Sequence, residues 1–235
     1  MVKVSKLALI RQGSSKDIYD GSLIRKGHLV FHFTDYFSVL DRGRAPWPIP
    51  KLGKERAAIT VRCFEHWREC GIQNHFVEQL SEDAILVKAA AIPEMNQQLL
   101  FEGRRVLPVE VLFRIEATKK FVHRYIAGDI SPATTNLKMG EVLKDGYIFD
   151  PIFVECSTKF ESPDRYINND EVEQIAGITS LQCEQLYHQT RQAAQSLSIL
   201  FSSKLLVRTG KFEFLQTGKG WFELGDSISP DELSL

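Results

Sequence analysis

Apolar and charged side chains alternate in a segment near the end of the chain. If residues 211–214 (KFEF) form a strand, Phe212 and Phe214 enter a core while Lys211 and Glu213 share the opposite face. The same alternation is typical of any half-exposed strand with a solvated charged face. The pattern therefore predicts a strand and leaves the role of its charged face open.

The residues that follow predict that this strand belongs to a hairpin. Residues 217–220 (TGKG) have the composition of a turn, and residues 221–224 (WFEL) predict the returning strand. Such a hairpin would bring Asp226 close to Glu213 and Lys211. Two carboxylates beside a lysine suit magnesium and polyphosphate, because carboxylate oxygens are hard metal ligands and an ammonium pairs with phosphate oxygens.

Two longer segments show the period of an α-helix. Residues 54–70 predict a helix that ends at Gly71, and residues 179–203 predict the longest helix of the chain. We expect each helix to bury one apolar stripe in a core. The stripes are Ala57, Val61, Phe64, Trp67 and Cys70 in the first helix, and Leu181, Leu186, Thr190, Ala193, Leu197 and Leu200 in the second.

The amino-terminal part of the chain is rich in predicted strands. Short apolar segments separated by turn residues predict antiparallel strands, and the three prolines of residues 44–50 predict a loop. The chain thus divides into an amino-terminal β-rich part and a mixed remainder. The predicted strands cover residues 7–11, 17–19, 22–24, 28–33, 84–88 and 108–115.

Composition narrows the class of protein. The chain has 235 residues, 43% hydrophobic and 25% charged, which is typical of a globular protein with a substantial core. Its 29 basic and 30 acidic residues leave a net charge of −1, which provides no general attraction to nucleic acid or to anionic membranes. No apolar run reaches membrane-spanning length, so we expect a cytoplasmic protein.

The four cysteines are scattered along the chain and suggest neither disulfides nor a zinc site. We expect Cys63 and Cys70 to lie on one buried helix stripe.

A glycine-containing loop joins the first two predicted strands. In Gly13-Ser14-Ser15-Lys16 the backbone N–H groups could approach phosphate oxygens, and Lys16 adds a positive charge. The loop is not a Walker P-loop, because its spacing differs and a strand follows it instead of a helix. Many ordinary hairpins contain the same residues.

In their order and spacing, these segments together resemble the SAICAR synthetase family of purine biosynthesis. The similarity is collinear from about residue 7 to the last residue, although no single motif decides it. The segments that carry it are 13–19 (GSSKDIY), 33–35 (FTD), 38–41 (SVLD), 53–54 (GK), 71–76 (GIQNHF), 86–88 (LVK), 107–114 (LPVEVLFR), 151–153 (PIF), 157–159 (STK), 211–214 (KFEF) and 225–231 (GDSISPD).

The resemblance implies an α+β fold of two lobes, distantly similar to a protein kinase. A small antiparallel β lobe, residues 1–106, would bind nucleotide, and a larger α/β lobe, residues 107–235, would carry the metal and substrate site, with ATP in the cleft between them. The implied reaction uses ATP to phosphorylate a substrate carboxylate, after which the amine of aspartate displaces phosphate to give an amide. The implied partners are small carboxylate and amine substrates; a homo-oligomer is left open.

The resemblance also implies roles for individual residues, with ATP and Mg²⁺ as cofactors. Glu213 and Asp226 would hold magnesium, and Lys211 would stabilise charge on the transferred phosphoryl group. The residues implied in nucleotide binding are Gly13, Ser14, Ser15 and Lys16 over the phosphates, Lys88 in the nucleotide pocket and Glu110 at the ribose hydroxyls. Those implied in substrate binding are Arg114, Ser38, Asp41, Lys119 and Lys120.

Several positions depart from the family pattern. After Arg114 the family has small residues ending in Gly-Ser, which embrace the substrate phosphate, whereas residues 115–120 here read IEATKK. Bulky side chains block the close backbone approach that glycine allows. Lys119 and Lys120 could serve a differently placed anion, or they are surface lysines on the first turn of a helix.

Four single residues also depart from the family pattern: Ser14 stands for lysine, Thr209 for aspartate, Leu215 for glycine and Ser234 for arginine. The chain also has an extra segment, roughly residues 91–105. We interpret this segment as an added hairpin at the cleft edge or at an oligomer contact.

These departures leave three functional interpretations. The leading one is an ATP-dependent carboxylate–amine ligase whose substrate differs from the usual purine intermediate, because the implied ATP and magnesium residues are largely retained while the phosphate-gripping positions are replaced. The alternatives are a genuine SAICAR synthetase with a divergent phosphate site, and a nucleotide-binding relative without ligase turnover. ADP release with and without a carboxylate and an amine separates the last two.

Overall fold

The computed structural model describes residues 4–38, 44–92, 103–135, 137, 141–202 and 205–234. Asp41 and most of the extra segment, residues 93–102, lie outside these ranges. The described chain forms eleven strands and four α-helices. The strands are β1 (Leu9–Gln12), β2 (Lys16–Asp20), β3 (His28–Phe33), β4 (Phe76–Ser81), β5 (Ala84–Lys88), β6 (Arg104–Glu116), β7 (Ile148–Thr158), β8 (Tyr166–Ile167), β9 (Thr209–Thr217), β10 (Phe222–Leu224) and β11 (Leu233–Ser234). The helices are α1 (Leu52–Glu69), α2 (Lys119–Ala127), α3 (Asn169–Ala176) and α4 (Ser180–Phe201).

The chain divides into two compact units. Unit 1 comprises Met1–Val106 and Leu215–Ser229, and unit 2 comprises Leu107–Phe214 and Pro230–Leu235. The sequence prediction divided the chain once, after residue 106. In the structure the segment Leu215–Ser229, which contains Asp226, belongs to unit 1.

Unit 1 is built on an antiparallel sheet in the order β1-β2-β3-β5-β4. Helix α1 packs against β3, β4 and β5, and its Phe64 and Trp67 are fully buried. The Asp35 carboxylate caps this helix by accepting hydrogen bonds from the Gly53 amide at 2.9 Å and the Lys51 amide at 3.2 Å. A side chain at Gly53 would collide with the Phe33 carbonyl, 2.5 Å from a Cβ placed there, which explains the glycine.

The carboxy-terminal segment of unit 1 is tied to the same unit by backbone hydrogen bonds. The end of β9 turns into β10 with the Thr217 amide donating to the Trp221 carbonyl at 2.8 Å. The Leu224 amide donates to the Gln73 carbonyl at 2.9 Å, and the His75 amide donates to the Leu224 carbonyl at 3.0 Å. Residues 225–229 are therefore anchored where α1 leads into β4.

Unit 2 is built on β6, β7, β8 and β9. The strands lie in the order β9-β6-β7-β8, with β11 paired to β9. β6 and β7 are antiparallel, with Arg114 opposite Phe153. Helix α4 packs on β7 through its buried face, and α3 packs on α4. Phe113 and Phe212 stack in the core with ring centroids 4.7 Å apart.

Most predicted elements are present at or near their predicted bounds. β3 and β5 match the prediction residue for residue, and β9 and β10 form the predicted hairpin with Phe212 and Phe214 buried. The strand predicted at residues 22–24 is wrong: this stretch is a turn, in which the Ile24 amide donates to the Gly21 carbonyl at 2.8 Å.

Two positions predicted to be buried on the helix stripes, Leu181 and Cys70, are exposed. Leu181 is 64% exposed because it lies on the first turn of α4, and Cys70 is exposed because it follows the last turn of α1. Cys63 is buried, so the two cysteines do not share one buried stripe. Helices α1 and α4 were predicted within two residues of their observed bounds at each end. None of the helices in the described ranges is long and apolar enough to cross a membrane.

Candidate functional site

The glycine loop of unit 1 closes on itself before β2. The Gly13 amide donates to the Lys16 carbonyl at 3.1 Å, and a Cβ at Gly13 would lie 2.5 Å from that oxygen, so only glycine fits. Arg44 Nε donates to the Gly13 carbonyl at 3.1 Å, and Arg44 Nη2 lies 2.7 Å from Asp17 Oδ1. The Ser14 and Ser15 amides donate to no acceptor within the described residues, which leaves them available to an anion.

Lys16 and Asp226 form an ion pair within unit 1. The Lys16 Nζ lies 2.8 Å from Asp226 Oδ1 and donates to Ser227 Oγ at 2.9 Å. The Lys16 side chain is 12% exposed and that of Asp226 is 23% exposed. Asp226 has φ 55°, a left-handed conformation that residues with a Cβ seldom adopt. The structure therefore joins the predicted phosphate lysine to one predicted magnesium ligand.

The Asp226 backbone is held by a buried histidine. His75 Nε2 lies 2.8 Å from the Asp226 carbonyl oxygen, so this nitrogen carries the proton and donates. Burial lowers the pKa of His75 to about 4, against the opposing influence of the hydrogen bond to Asp226. The ring is therefore neutral at pH 7. Sequence reasoning assigned no role to His75, although it lies in the matching segment 71–76.

Lys88 is paired with a carboxylate of the same unit. Its Nζ lies 3.4 Å from Glu223 Oε1 and donates to the Asn74 carbonyl at 3.3 Å. Arg104 binds the same carboxylate, with Nε 2.6 Å from Oε2. Burial would raise the pKa of Glu223, but Arg104 and Lys88 outweigh it and hold the pKa below its usual value. Glu223 and Arg104 were missed because their pairing depends on the return of β10 to this unit.

In unit 2, Lys211 and Glu110 form a second ion pair. Lys211 Nζ lies 2.9 Å from both carboxylate oxygens of Glu110, which is 8% exposed. Burial works to lower the pKa of Lys211, but the hydrogen bond to Glu110 and the charges of neighbouring glutamates outweigh it and raise the pKa. Lys211 is therefore a cation at neutral pH.

Glu213 is paired with a lysine that sequence reasoning left without a role. The Lys159 ammonium contacts the Glu213 carboxylate, and both side chains are less than 20% exposed. The Lys159 amide donates to the Pro108 carbonyl at 3.2 Å, which fixes the end of β7. Lys159 lies in the matching segment 157–159, and that position was the available signal.

Arg114 belongs to a buried ion cluster of unit 2. Its Nε donates to Glu155 Oε1 at 2.8 Å, and Arg124 binds both oxygens of the same carboxylate at 3.0 Å. Lys119 and Lys120 open α2 with exposed side chains, after the Thr118 cap. The structure does not bring these two lysines into an ion pair with any described residue.

Two of the positions that depart from the family pattern are packed or paired in the structure. Leu215 is 3% exposed and packs on Gly225, where an added Cβ would lie 2.9 Å from its Cγ. Thr209 pairs with Ser234 where β9 meets β11.

Of the remaining predicted substrate residues, Ser38 is exposed and forms an isolated antiparallel β-bridge with Arg44. Asp41 lies outside the described residues.

The predicted site residues thus fall into two groups. The glycine loop, Lys16 and Asp226 are together in unit 1, where Lys88 is held by Glu223. Glu110, Lys211 and Glu213 are together in unit 2.

Comparison with known proteins identifies the family. A family model described as SAICAR synthetase matches residues 9–235. The chain belongs to the SAICAR synthetase family. The family predicted from the sequence is confirmed.

Relatives of the same family are similar at moderate identity. The phosphoribosylaminoimidazole-succinocarboxamide synthase of Thermoplasma volcanium is 29% identical over 177 residues, covering 74% of this chain and 56% of the relative. That of Coprothermobacter proteolyticus is 27% identical over 230 residues, covering 97% of this chain and 84% of the relative. The chain thus spans little more than half the length of the Thermoplasma protein.

Solved structures of the family have the same fold. A phosphoribosylaminoimidazole-succinocarboxamide synthase from Ehrlichia chaffeensis gives a TM-score of 0.75 at 20% identity, over 96% of this chain and 83% of that one. A SAICAR synthase from Saccharomyces cerevisiae, complexed with SAICAR, gives 0.75 at 19% identity, over 99% and 77%. A SAICAR synthetase in complex with ADP gives 0.73 at 21% identity, over 95% and 82%. The predicted α+β fold is confirmed, with two antiparallel sheets.

Proposed function

We propose that this protein is an ATP-dependent ligase that joins a carboxylate to an amine through an acyl phosphate, as a SAICAR synthetase. The family match over residues 9–235 is the observation that supports this most. The two lysine–carboxylate pairs, Lys16 with Asp226 and Lys211 with Glu110, supply charges of the kind that phosphoryl transfer needs.

The proposed reaction has two steps. A carboxylate oxygen of the substrate attacks the γ-phosphorus of ATP, and ADP leaves. The amine then attacks the acyl carbon, phosphate leaves and the nitrogen loses a proton, which gives the amide. In the first step the Ser14 and Ser15 amides and Lys16 bind phosphate oxygens, and Lys211 neutralises charge on the transferred group. Lys88 and Glu110 remain proposed nucleotide contacts.

Neither step needs a nucleophilic side chain. Burial raises the pKa of the Cys156 thiol to about 12, so it stays protonated at neutral pH. The proposed chemistry is positioning and charge neutralisation by the charged residues named above.

The carboxylate of Asp226 fits magnesium as the partner of ATP. It lies in unit 1, is 23% exposed and pairs with Lys16 at the end of the glycine loop. No group of three or more His, Cys, Asp or Glu side chains in the described ranges could hold a metal by itself. Magnesium commonly uses one or two carboxylates plus substrate phosphates, so a single carboxylate of this unit is enough for the proposal. Glu213, 18% exposed in unit 2, stays a separate proposed ligand. When bound, the ion would neutralise phosphate charge.

The proposed substrates are the purine ribotide carboxylate and aspartate. The relatives compared above are named phosphoribosylaminoimidazole-succinocarboxamide synthase, and a succinocarboxamide is the amide of a carboxylate with the amine of aspartate. A second candidate is a ligase of the same chemistry with another carboxylate. It is favoured by Lys119 and Lys120, which stand where the family has Gly-Ser and project from α2 into solvent. Lysines are flexible point charges and do not replace a backbone cradle.

One assay distinguishes the proposed SAICAR synthetase from a ligase that uses another carboxylate. ADP release is measured with MgATP plus the ribotide and aspartate, each omitted in turn, and the amide product is identified by mass spectrometry. We expect release that depends on both substrates. Release only with other carboxylates would favour the second candidate, and no release with any carboxylate would contradict ligase activity.

A further inference from the structure

The turn that carries Asp226 is held at two points by different elements of unit 1. His75, just before β4, binds the Asp226 carbonyl oxygen at 2.8 Å. Lys16, at the start of β2, binds the Asp226 carboxylate at 2.8 Å. The φ of Asp226 is 55°, in the left-handed region, which aspartate adopts more readily than most residues with a Cβ but still at some cost in energy.

We propose that His75 is a positioning residue for the Asp226 carboxylate. Its Nε2–H hydrogen bond to the Asp226 carbonyl oxygen holds the left-handed turn that directs the carboxylate towards the cation of the bound nucleotide. This inference rests on the proposed function, because it takes Asp226 as a magnesium ligand.

The His75 ring is fixed before any ligand arrives. The residue is 3% exposed, and its ring meets Phe31 and Phe64 edge-on at centroid distances of 5.6 Å and 5.5 Å. Its amide donates to the Leu224 carbonyl at 3.0 Å, and its carbonyl accepts from the Lys88 amide at 2.9 Å. A side chain held by packing and by its own backbone can impose a geometry on the residue it binds.

A purely structural role makes a different prediction, and Thr60 provides the comparison. Thr60 Oγ1 donates to the Ile228 carbonyl at 2.8 Å, two residues beyond Asp226 in the same segment. Thr60 is fully buried, as His75 nearly is. If both hydrogen bonds only satisfy buried carbonyls, removing either one should have the same effect on stability and none on metal affinity.

The test uses the full chain with four substitutions. His75→Phe removes the donor and keeps an aromatic ring, His75→Asn has an amide too short to reach, His75→Gln has a donor at similar reach, and Thr60→Val removes the matched bond. Mn²⁺ binding in the presence of ADP is followed by electron paramagnetic resonance, and urea unfolding is measured without ligands.

We expect His75→Phe and His75→Asn to weaken Mn²⁺ binding to the ADP complex about tenfold, the lower end of the loss seen when supports of metal ligands are removed. His75→Gln should recover most of this affinity. Thr60→Val should lower stability with Mn²⁺ affinity unchanged. If His75→Phe fails to fold, His75→Asn provides the same test, because it also lacks a donor that reaches the Asp226 carbonyl oxygen.

Three results would overturn the inference. Unchanged Mn²⁺ affinity in folded His75→Phe or His75→Asn removes the positioning role, and so does an equal loss in Thr60→Val. Wild-type protein that binds no Mn²⁺ with ADP contradicts the proposed function and this inference with it, whereas wild-type binding with unaffected His75 variants contradicts the inference alone.

Discussion

Lys211 depends on Glu110 for its charge state. The Glu110 carboxylate, which is 8% exposed, lies 2.9 Å from the Lys211 ammonium and holds the pKa of Lys211 above its usual value against the effect of burial. The Lys211 side chain is 39% exposed, so the pair holds a cation that is only partly shielded from water. An ammonium in that position interacts more strongly with phosphate oxygens than one in bulk water.

Replacing this cation should slow turnover strongly. We expect Lys211→Met to lower kcat about 100-fold or more, because one preorganised donor to a developing charge typically contributes 10²–10³-fold. Stability should fall by about 1 kcal/mol, since Glu110 loses a charged hydrogen bond whose ammonium end is already partly screened by solvent. ADP release and urea unfolding measure the two effects.

The double variant Lys211→Met, Glu110→Gln distinguishes catalysis from folding. It should regain part of the stability, because the unpaired buried charge is removed, without regaining activity. Lys219→Met is the matched control on an exposed lysine with no proposed role, with stability expected within about 0.5 kcal/mol of wild type. A fully active Lys211→Met variant would contradict the role of Lys211.

Glu223 should make stability depend on pH. Its folded pKa is lowered by Arg104 and Lys88 despite burial, so the unfolded chain binds a proton at higher pH than the folded one. The stabilisation is present above the unfolded pKa, near 4.5, and is lost as pH falls through the folded pKa. Glu223→Gln should cost about 1–2 kcal/mol at pH 7, and the difference from wild type should shrink below pH 4.5.

Urea unfolding at pH 7, 5, 4 and 3 checks this, with Glu78→Gln as the exposed control. A difference between wild type and Glu223→Gln that stays constant down to pH 4 and below would show that the ion pairs do not lower the pKa.

At the scale of elements, α4 shows how burial follows the helical period. Leu186, Ala193 and Leu197 are fully buried and lie on the face that packs on β7. Leu181 has the same chemistry and belongs to the same stripe by spacing, yet it is 64% exposed on the first turn. The period identifies the face, and the neighbouring elements decide how far along the helix that face is covered.

Two leucine truncations on α4 should therefore differ greatly. Leu186→Ala should destabilise the protein by about 2–5 kcal/mol, because it leaves a cavity in the core. Leu181→Ala should change the free energy of unfolding by less than about 0.5 kcal/mol, because its side chain is already in solvent. Urea unfolding of both variants gives the comparison, and equal losses would contradict the packing described for α4.

At the scale of the whole molecule, the proposed site draws on segments far apart in the chain. Unit 1 includes residues 215–229 as well as the first 106, so Lys16 and Asp226 meet across 210 positions of sequence. A ligand that binds only the folded protein raises the free energy of unfolding by an amount that grows with the ratio of its free concentration to its Kd.

MgADP should therefore stabilise the protein. At about 100 times its Kd it should add about 2.7 kcal/mol to the free energy of unfolding. Asp226→Asn should lose most of this gain, because it removes a proposed magnesium ligand, whereas the exposed control Asp129→Asn should keep it. Urea unfolding with MgADP, and with ADP plus EDTA, measures the difference. An unchanged gain in Asp226→Asn would remove Asp226 from the proposed site.

Local patterns were sufficient to predict many of the elements. The alternation in residues 211–214 predicted β9, and the helical stripes predicted α1 and α4, because strand and helix periods are properties of consecutive residues. The strand predicted at residues 22–24 (SLI) is wrong because a turn closed by the Gly21 carbonyl competes with a strand there and depends on the neighbouring β2 and β3. The order of the motifs was sufficient to identify the family.

The amino-acid sequence by itself determined the family, the α+β class and the residue types of the proposed site. Only the tertiary structure decided the partners of those residues. Lys88 is neutralised by Glu223, Glu213 by Lys159 and Arg114 by Glu155, and the Asp226 turn is supported by His75. The physical reason is range: secondary structure follows from neighbours along the chain, whereas an ion pair or a buried hydrogen bond forms between residues that only folding brings within 3–4 Å.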